Sequence, residues 1–458
     1  MLIDFLIKVF QDNSHKDAIV WQNQVYSYEW LLERTFFWLK DLRAKQFRRG
    51  QVSILDADFS PNSIALFLAL VENAGIVVPV TSSVQEKKEE FIAIAQGEVS
   101  LVVNQNDQVT LSQLSNSATH QFYQQLRDRS HPGLVLFSSG STGKSKAAVH
   151  DFTGILEKFR KPGKTLRTVA FLLYDHIGGI NTIFYTLANA GCLVTLEERS
   201  ADSVSRAVEK YQVELLPTSP TFINLILLSE AYKRHDLSSL KLVSYGTEPM
   251  PESTLKRFHQ LFPQIELRQT YGLSEVGILR SHSKEADSLW VKIGGEGFQT
   301  RVVQGILQIK AKSAMLGYLN APSPFTEDGW FITGDAVEVD GEYLKILGRK
   351  SEIINVGGQK VYPAEVESVI QEAGNVLEVT VYGEKNPIIG NIVCAKVRLL
   401  RDENPREFSL RLKKYCQEKL PDYQVPIKII VVLEQQHSDR FKKMRPLLMD
   451  STDQALAS

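Results

Sequence analysis

Residues Ser138 to Lys146 read Ser-Ser-Gly-Ser-Thr-Gly-Lys-Ser-Lys, a run made of hydroxyls, glycines and lysines. Gly140 and Gly143 would let the backbone approach a ligand closely or take a positive φ. Hydroxyls of Ser138, Ser139, Ser141 and Thr142, with backbone N–H groups, can then donate to phosphate oxygens, and Lys144 and Lys146 supply charge. The run directly follows the apolar stretch Leu134 to Phe137, which places it at the end of a buried strand rather than in an ordinary polar turn. Gly143-Lys144-Ser145 ends like a GxxxxGK[ST] loop, but that motif needs glycine where Ser138 stands. The chemistry offered is phosphate binding by another kind of loop.

Such a loop has to be held by a sheet. Short β-branched runs at 74–80, 133–139, 191–197, 213–219 and 240–246 each follow a helix-like stretch, which predicts parallel sheets with crossover helices. From about 287 to 348 the chain turns rich in Gly, Val and Ile. An Asp340-Gly341 turn there lies between two alternating runs, a hairpin signal. Asp335 and Arg349 fall near the open end of that hairpin. After Arg349 the pattern reads strand, helix, strands. The expected division is a body over 1–348, a hinge at 349–352 and a small domain over 353–458.

Composition bounds the classes that fit. The 458 residues are 43% hydrophobic and 23% charged, as in globular proteins of two or three domains. With 52 Lys+Arg against 53 Asp+Glu, the net charge is -1, so nothing overall favours nucleic acid. Cys192, Cys394 and Cys416 are widely spaced, without metal-ligand spacing, and a reduced cytoplasmic setting fits them. The opening MLIDFLIKVFQDN reads as an amphipathic helix rather than a signal peptide. The longest apolar run, Ile64 to Val80, is interrupted by Glu72, Asn73 and Gly75, so no membrane span is expected.

SSGSTGKSK is similar to the phosphate-binding signature [ST]SG[ST]TGxPKG of the adenylate-forming superfamily: acyl- and aryl-CoA synthetases, nonribosomal-peptide adenylation domains and luciferases. Ser145 stands for the proline and Ala147 for the last glycine. YGLSE at 271–275 resembles YGxTE. The resemblance implies that Tyr271, with Gly272, meets adenine, that Ser274 meets the α-phosphate and that Glu275 holds Mg²⁺. GWFITGD at 329–335 and the segment starting Gly348-Arg349 resemble the motifs whose Asp and Arg bind ribose, here Asp335 and Arg349. In the stretch 244–250, Gly246, Thr247 and Glu248 are implied to frame the adenine and the inner pocket. LQIKAKSAMLGYLN (307–320) and LPDYQVP (420–426) agree in order. What this implies is an α/β fold: a large N-terminal domain of stacked, mostly parallel sheets plus a distorted β-barrel, and a small mobile α+β C-terminal domain.

The family's catalytic lysine lies in a pattern like SGKxxRxxL. The corresponding stretch begins Ser438-Asp439-Arg440-Phe441-Lys442-Lys443, with Phe441 where glycine is usual. The resemblance points to Lys442, with Lys443 as the alternative, as the charge that binds the attacking carboxylate and the α-phosphate. FLLYDHIGG at 171–179 resembles LFHxxG, with His176 bordering the carboxylate. Asp175 stands where an apolar residue is usual. It could grip a substrate amino group or pair with His176, and a buried carboxylate needs some partner. Tyr245 and Gln269 are expected among the pocket walls. The implied activity is ATP- and Mg²⁺-dependent formation of an acyl-adenylate from a fatty or aryl acid, then thioester formation with CoA. The alternative acceptor is the phosphopantetheine thiol of a carrier protein acting in trans. A non-catalytic nucleotide-binding protein on the same fold is the remaining alternative, and the oligomeric state stays open.

Overall fold

A computed structural model describes residues 1–139, 145–285 and 288–445. Among these residues the chain forms three seven-stranded sheets and one five-stranded sheet. In the first sheet Val52–Asp56, Ile76–Val80, Val99–Val103 and Gly133–Ser139 run parallel. The helix Pro61–Glu72 connects the first two strands and buries every residue from Pro61 to Val71 except Asn62, as its all-round apolar sequence requires. A capping box starts it: Ser60 Oγ accepts from the Ser63 amide and Ser63 Oγ from the Ser60 amide. Gly133–Ser139 then pairs antiparallel with Ser145–Asp151, setting Ser138 opposite Lys146.

The second sheet has six parallel strands. Five of them, Cys192–Val194, Arg167–Val169, Leu215–Thr218, Leu242–Tyr245 and Glu266–Gln269, are crossover strands, and Asp17–Trp21 is the sixth. Thr218, Tyr245 and Gln269 lie side by side where three strands end. The carboxyl edge of a parallel sheet is where such folds bind ligands. The runs that alternate with helices in the sequence are thus strands, with parallel pairing.

The third sheet, from Tyr271–Leu273 to Tyr343–Arg349, is antiparallel throughout. The expected distorted barrel takes the form of a sheet with two free ends. Trp290–Gly294 and Phe298–Val303 are consecutive but unpaired as ladders, because three glycines between Gly294 and Gly297 with positive φ turn the chain away. The Asp340-Gly341 hairpin forms, and its register sets Asp335 opposite Arg349.

The fourth sheet comprises Ile354–Val356, Gln359–Val361, Val376–Asn386, Gly390–Leu399 and Lys428–Val431. The helices Pro363–Glu372 and Pro405–Lys419 supply Val366, Ile370, Phe408 and Leu412 to a core of its own. Pro363 opens its helix at the position where a missing N–H costs nothing. The three cysteines are free and buried. Among the described residues no helix is long and apolar enough to cross a membrane.

Candidate active site

His176 caps the helix Ile177–Ala188, its Nδ1 accepting from the Gly178 amide at 3.1 Å. Gly179 is fixed by space here, since a Cβ would sit 2.1 Å from the Leu173 carbonyl oxygen. The cap leaves the proton of the neutral ring on Nε2. Burial, then the charges of Lys442 and Arg440, hold the imidazole well below its usual pKa and so neutral. Lys442 Nζ lies 3.5 Å from that Nε2. Two donors therefore face each other, and an anionic oxygen between them would satisfy both. Burial and then Arg440 push the Lys442 ammonium down to about 8, against Glu248 and Glu275. Phe171, Leu172 and Leu173 supply the apolar lining of the adjoining cleft, which Arg199 and Thr247 also border.

The turn that delivers Lys442 comes from the other end of the chain. Its backbone closes by Ser438 N–H to the Lys442 carbonyl, 2.9 Å, and Phe441 N–H to the Ser438 carbonyl, 2.8 Å. Phe441 has φ 53, in the left-handed region that glycine occupies most readily. Its ring lies 5.3 Å from Phe171 and 4.9 Å from Phe222, and its carbonyl accepts from Ser219 Oγ at 2.8 Å. Packing in the body thus offsets the backbone cost. Arg440 Nη2 donates to Asp175 Oδ2 at 2.7 Å, and Thr81 Oγ1 donates to the same oxygen at 2.9 Å. Asp175 does not pair with its neighbour His176. The partner that a buried carboxylate requires is Arg440, 265 residues away.

The far side of the turn is tied to the fourth sheet's helix. Lys443 Nζ and Arg445 Nη2 each reach Glu367 Oε2 at 2.7 Å, and Arg445 Nη1 reaches Glu352 at 3.1 Å. Glu367 is 1% exposed, and despite burial these cations keep its carboxyl below the usual range. Lys443 points away from the cleft that Lys442 enters. Glu248, expected to frame the adenine and the inner pocket, accepts from the Thr221 amide, 2.8 Å, and the Lys443 amide, 3.1 Å.

On the third sheet Arg349 Nε meets Asp335 Oδ1 at 3.0 Å, and Tyr271 Oη donates to Asp335 Oδ2. Burial raises the Asp335 pKa against the lowering pull of Arg349. Nearby, Tyr318 Oη donates to Glu275 Oε1 at 2.7 Å, and Lys146 Nζ stands 5.5 Å above the Tyr318 ring. Tyr318 links the carboxylate to the end of the loop-bearing hairpin; its place in the GYLN stretch carried no signal of that contact. Ser138 is the last residue but one of the strand before the loop, opposite Lys146. Ser139 pairs with Ser145 across the hairpin. Gly140, Ser141, Thr142, Gly143 and Lys144 lie outside the described residues.

Other expected residues divide by the strand ends. Gly246 passes so close to Thr270 that a Cβ would meet its carbonyl oxygen at 2.5 Å. Thr247 follows at φ 76, strained for a β-branched residue, and borders the Lys442 cleft. Tyr245 does not line it. Its side chain belongs to the core beneath, with Phe171 and Phe222, because alternation along the strand turns it to the buried face. Gln269 is buried beside it in register. Gly272 and Ser274 precede the buried Glu275 on the strand-and-turn segment after Tyr271.

Known proteins resemble this chain in sequence and in fold. A model for AMP-binding enzymes matches residues 8–304, and one for the AMP-binding enzyme C-terminal domain matches 365–442. An indoleacetate–CoA ligase of Aromatoleum aromaticum is 29% identical over 296 residues, covering 58% of this chain and 57% of its own. A long-chain-fatty-acid–CoA ligase of Mycobacterium tuberculosis is 26% identical over 321 residues, covering 65% and 63%. The chain thus spans about three-fifths of the length of these curated relatives. The crystal structure of an anthranilate CoA ligase in complex with anthranoyl-AMP superposes with TM-score 0.83 at 19% identity, covering 96% of this chain and 95% of that one. On the two matched segments, this chain belongs to the AMP-binding enzyme family, the adenylate-forming enzymes its motifs resemble.

Proposed function

We propose that the protein activates a carboxylic acid with ATP and passes the acyl group to the thiol of CoA. The observation that carries this reading is the pair of donors, Lys442 Nζ and His176 Nε2–H, meeting at a cleft with one apolar wall. A fatty or aryl acid would lie along Phe171 and Leu172 with its carboxylate between those donors. One carboxylate oxygen attacks the α-phosphorus of ATP, the bond to the β-phosphate oxygen breaks, and pyrophosphate leaves. Lys442 stabilises the charge on the transferring group without moving a proton. Tyr271 would face the base and Asp335 with Arg349 the ribose. Ser138, Lys146 and the loop 140–144 would face the phosphates. The thiolate then attacks the acyl carbon, the bond to the phosphate oxygen breaks, and AMP departs.

Among the described residues no cluster of three metal ligands forms. A lone buried carboxylate such as Glu275 fits Mg²⁺, which keeps water and phosphate oxygens as its other ligands. Glu275 would hold the ion, with Tyr318 orienting it, and the ion when bound supplies charge neutralisation at the phosphates. The segment 349–352 would be the hinge on which the unit from 353 onward turns between the two half-reactions.

The test is pyrophosphate release over a panel of aliphatic, aryl and amino acids, followed by AMP release with CoA or a holo carrier protein. Acid-dependent pyrophosphate release followed by CoA-dependent AMP release is expected. Release of AMP only with the carrier protein would overturn CoA as acceptor, and no acid-dependent pyrophosphate from any acid would overturn the activity. The ammonium also sets a pH limb. Lys442 acts charged, and burial pushes its pKa down to about 8 in the free protein, so charge is lost as pH rises through that value. We expect kcat/KM for adenylation to fall tenfold per pH unit above it, and Lys442→Arg to move the limb well upward. A flat profile to pH 10 in the parent, about two units past that value, would count against the charged role.

A further inference from the structure

The helix Tyr28–Ala44 packs Tyr28, Leu31, Thr35, Leu39 and Leu42 inward. Its opposite face carries Glu29, Glu33, Phe36, Phe37 and Lys40, all exposed. Phe36 and Phe37 are 41% and 50% exposed, and Val25 beside the helix 55%. The aromatic ridge continues sideways: Arg34 lies 5.3 Å from the Trp30 ring and 5.1 Å from that of Phe37, and Tyr26 packs on Trp30 at 4.6 Å. Trp38 is tethered by its Nε1 donating to Asn62 Oδ1 at 3.0 Å, so the ridge is held rigidly by the body. Contiguous exposed aromatics with arginine are the composition of contact surfaces.

The charges select the occupant. Glu33 and Lys40 lie seven residues apart, two turns along one line of the helix, with Phe36 and Phe37 between them. Among the described residues neither has an ion-pair or hydrogen-bond partner. Both are more than one turn from the helix ends, where the backbone dipole would otherwise account for an acidic start and basic finish. A two-fold axis passing midway between Phe36 and Phe37 would lay a second copy of the helix antiparallel on the first. Phe36 then meets Phe37 of the second copy, and Glu33 meets Lys40 of the second copy, twice over. Such an interface is self-complementary, as closed dimers require.

We propose that this helix face is the contact of a weak homodimer, two copies packing antiparallel through Phe36 and Phe37 with reciprocal Glu33–Lys40 pairs. One helix of this length covers little area, so the equilibrium falls at micromolar concentrations. Sedimentation equilibrium over a hundredfold range of concentration tests it. The mass should rise from 51.6 kDa toward twice that value. Glu33→Lys and Lys40→Glu should each weaken association about tenfold by placing like charges opposite one another. The double variant Glu33→Lys/Lys40→Glu should restore it, and Phe37→Ser should abolish it. A parent that stays monomeric throughout would overturn the proposal. So would a double variant no better than the singles. Binding of the monomer to anionic lipid vesicles, lost in Phe37→Ser, would overturn it in favour of a membrane surface.

Discussion

Lys442→Ala should lower acid-dependent pyrophosphate release by about 10²–10³-fold, the usual loss when one donor to a developing anion is removed. The second half-reaction, offered a synthetic acyl-adenylate and CoA, should be little changed. The asymmetry follows from geometry. Lys442 Nζ stands against His176 Nε2 in the cleft, where bond formation at phosphorus would take place, and no protein cation is needed where a thiolate meets an acyl carbon. Lys443→Ala serves as the comparison. Its ammonium is engaged by Glu367, so its loss should reduce stability more than it slows chemistry. Pyrophosphate release at the parental rate from Lys442→Ala would remove the lysine from the mechanism.

Arg440→Ala should slow adenylation by about 30- to 150-fold, again sparing the thioester step. The bond from Arg440 to Asp175 is charged at both ends, and such a bond contributes about 2–3 kcal/mol, which converts at 1.36 kcal/mol per decade. That stabilisation exists only while the turn is seated on the body. Losing it depopulates the seated state and leaves Asp175 with Thr81 alone. Asp175→Asn in the same chain should recover part of the rate, because the unpaired buried charge is then gone. Equal slowing of both half-reactions would show that Arg440 supports folding in general rather than seating the turn.

Much of the frame could be read from local patterns. β-branched runs alternating with helical stretches are a property of the chain itself. The Asp340-Gly341 turn set the hairpin register, and with it the facing of Asp335 and Arg349. What escaped depended on distant packing. Asp175 announced that it needed a partner, but its choice of Arg440 over the adjacent His176 depends on how the last sheet's trailing segment crosses the body. Tyr245 illustrates the same limit at short range: one step along a strand decides between cleft and core, and it went to the core. Phe441 was recognisable as an oddity where glycine is usual. Its φ of 53 explains the usual glycine, but only the pocket between Phe171 and Phe222 explains what the ring does.

Phe441 and Lys442 are neighbours on one tight turn, and neither can enter the body alone. The ring closes an apolar gap in the wall as the charge arrives beside it. On the proposed hinge, withdrawal would reverse both changes in one movement. Water would therefore be shut out when the mixed anhydride is made, and the thiol would be admitted only after the cation had gone. Hydrolytic leakage of the activated acid would thus be restrained by covalent adjacency, two residues that must share a single timetable.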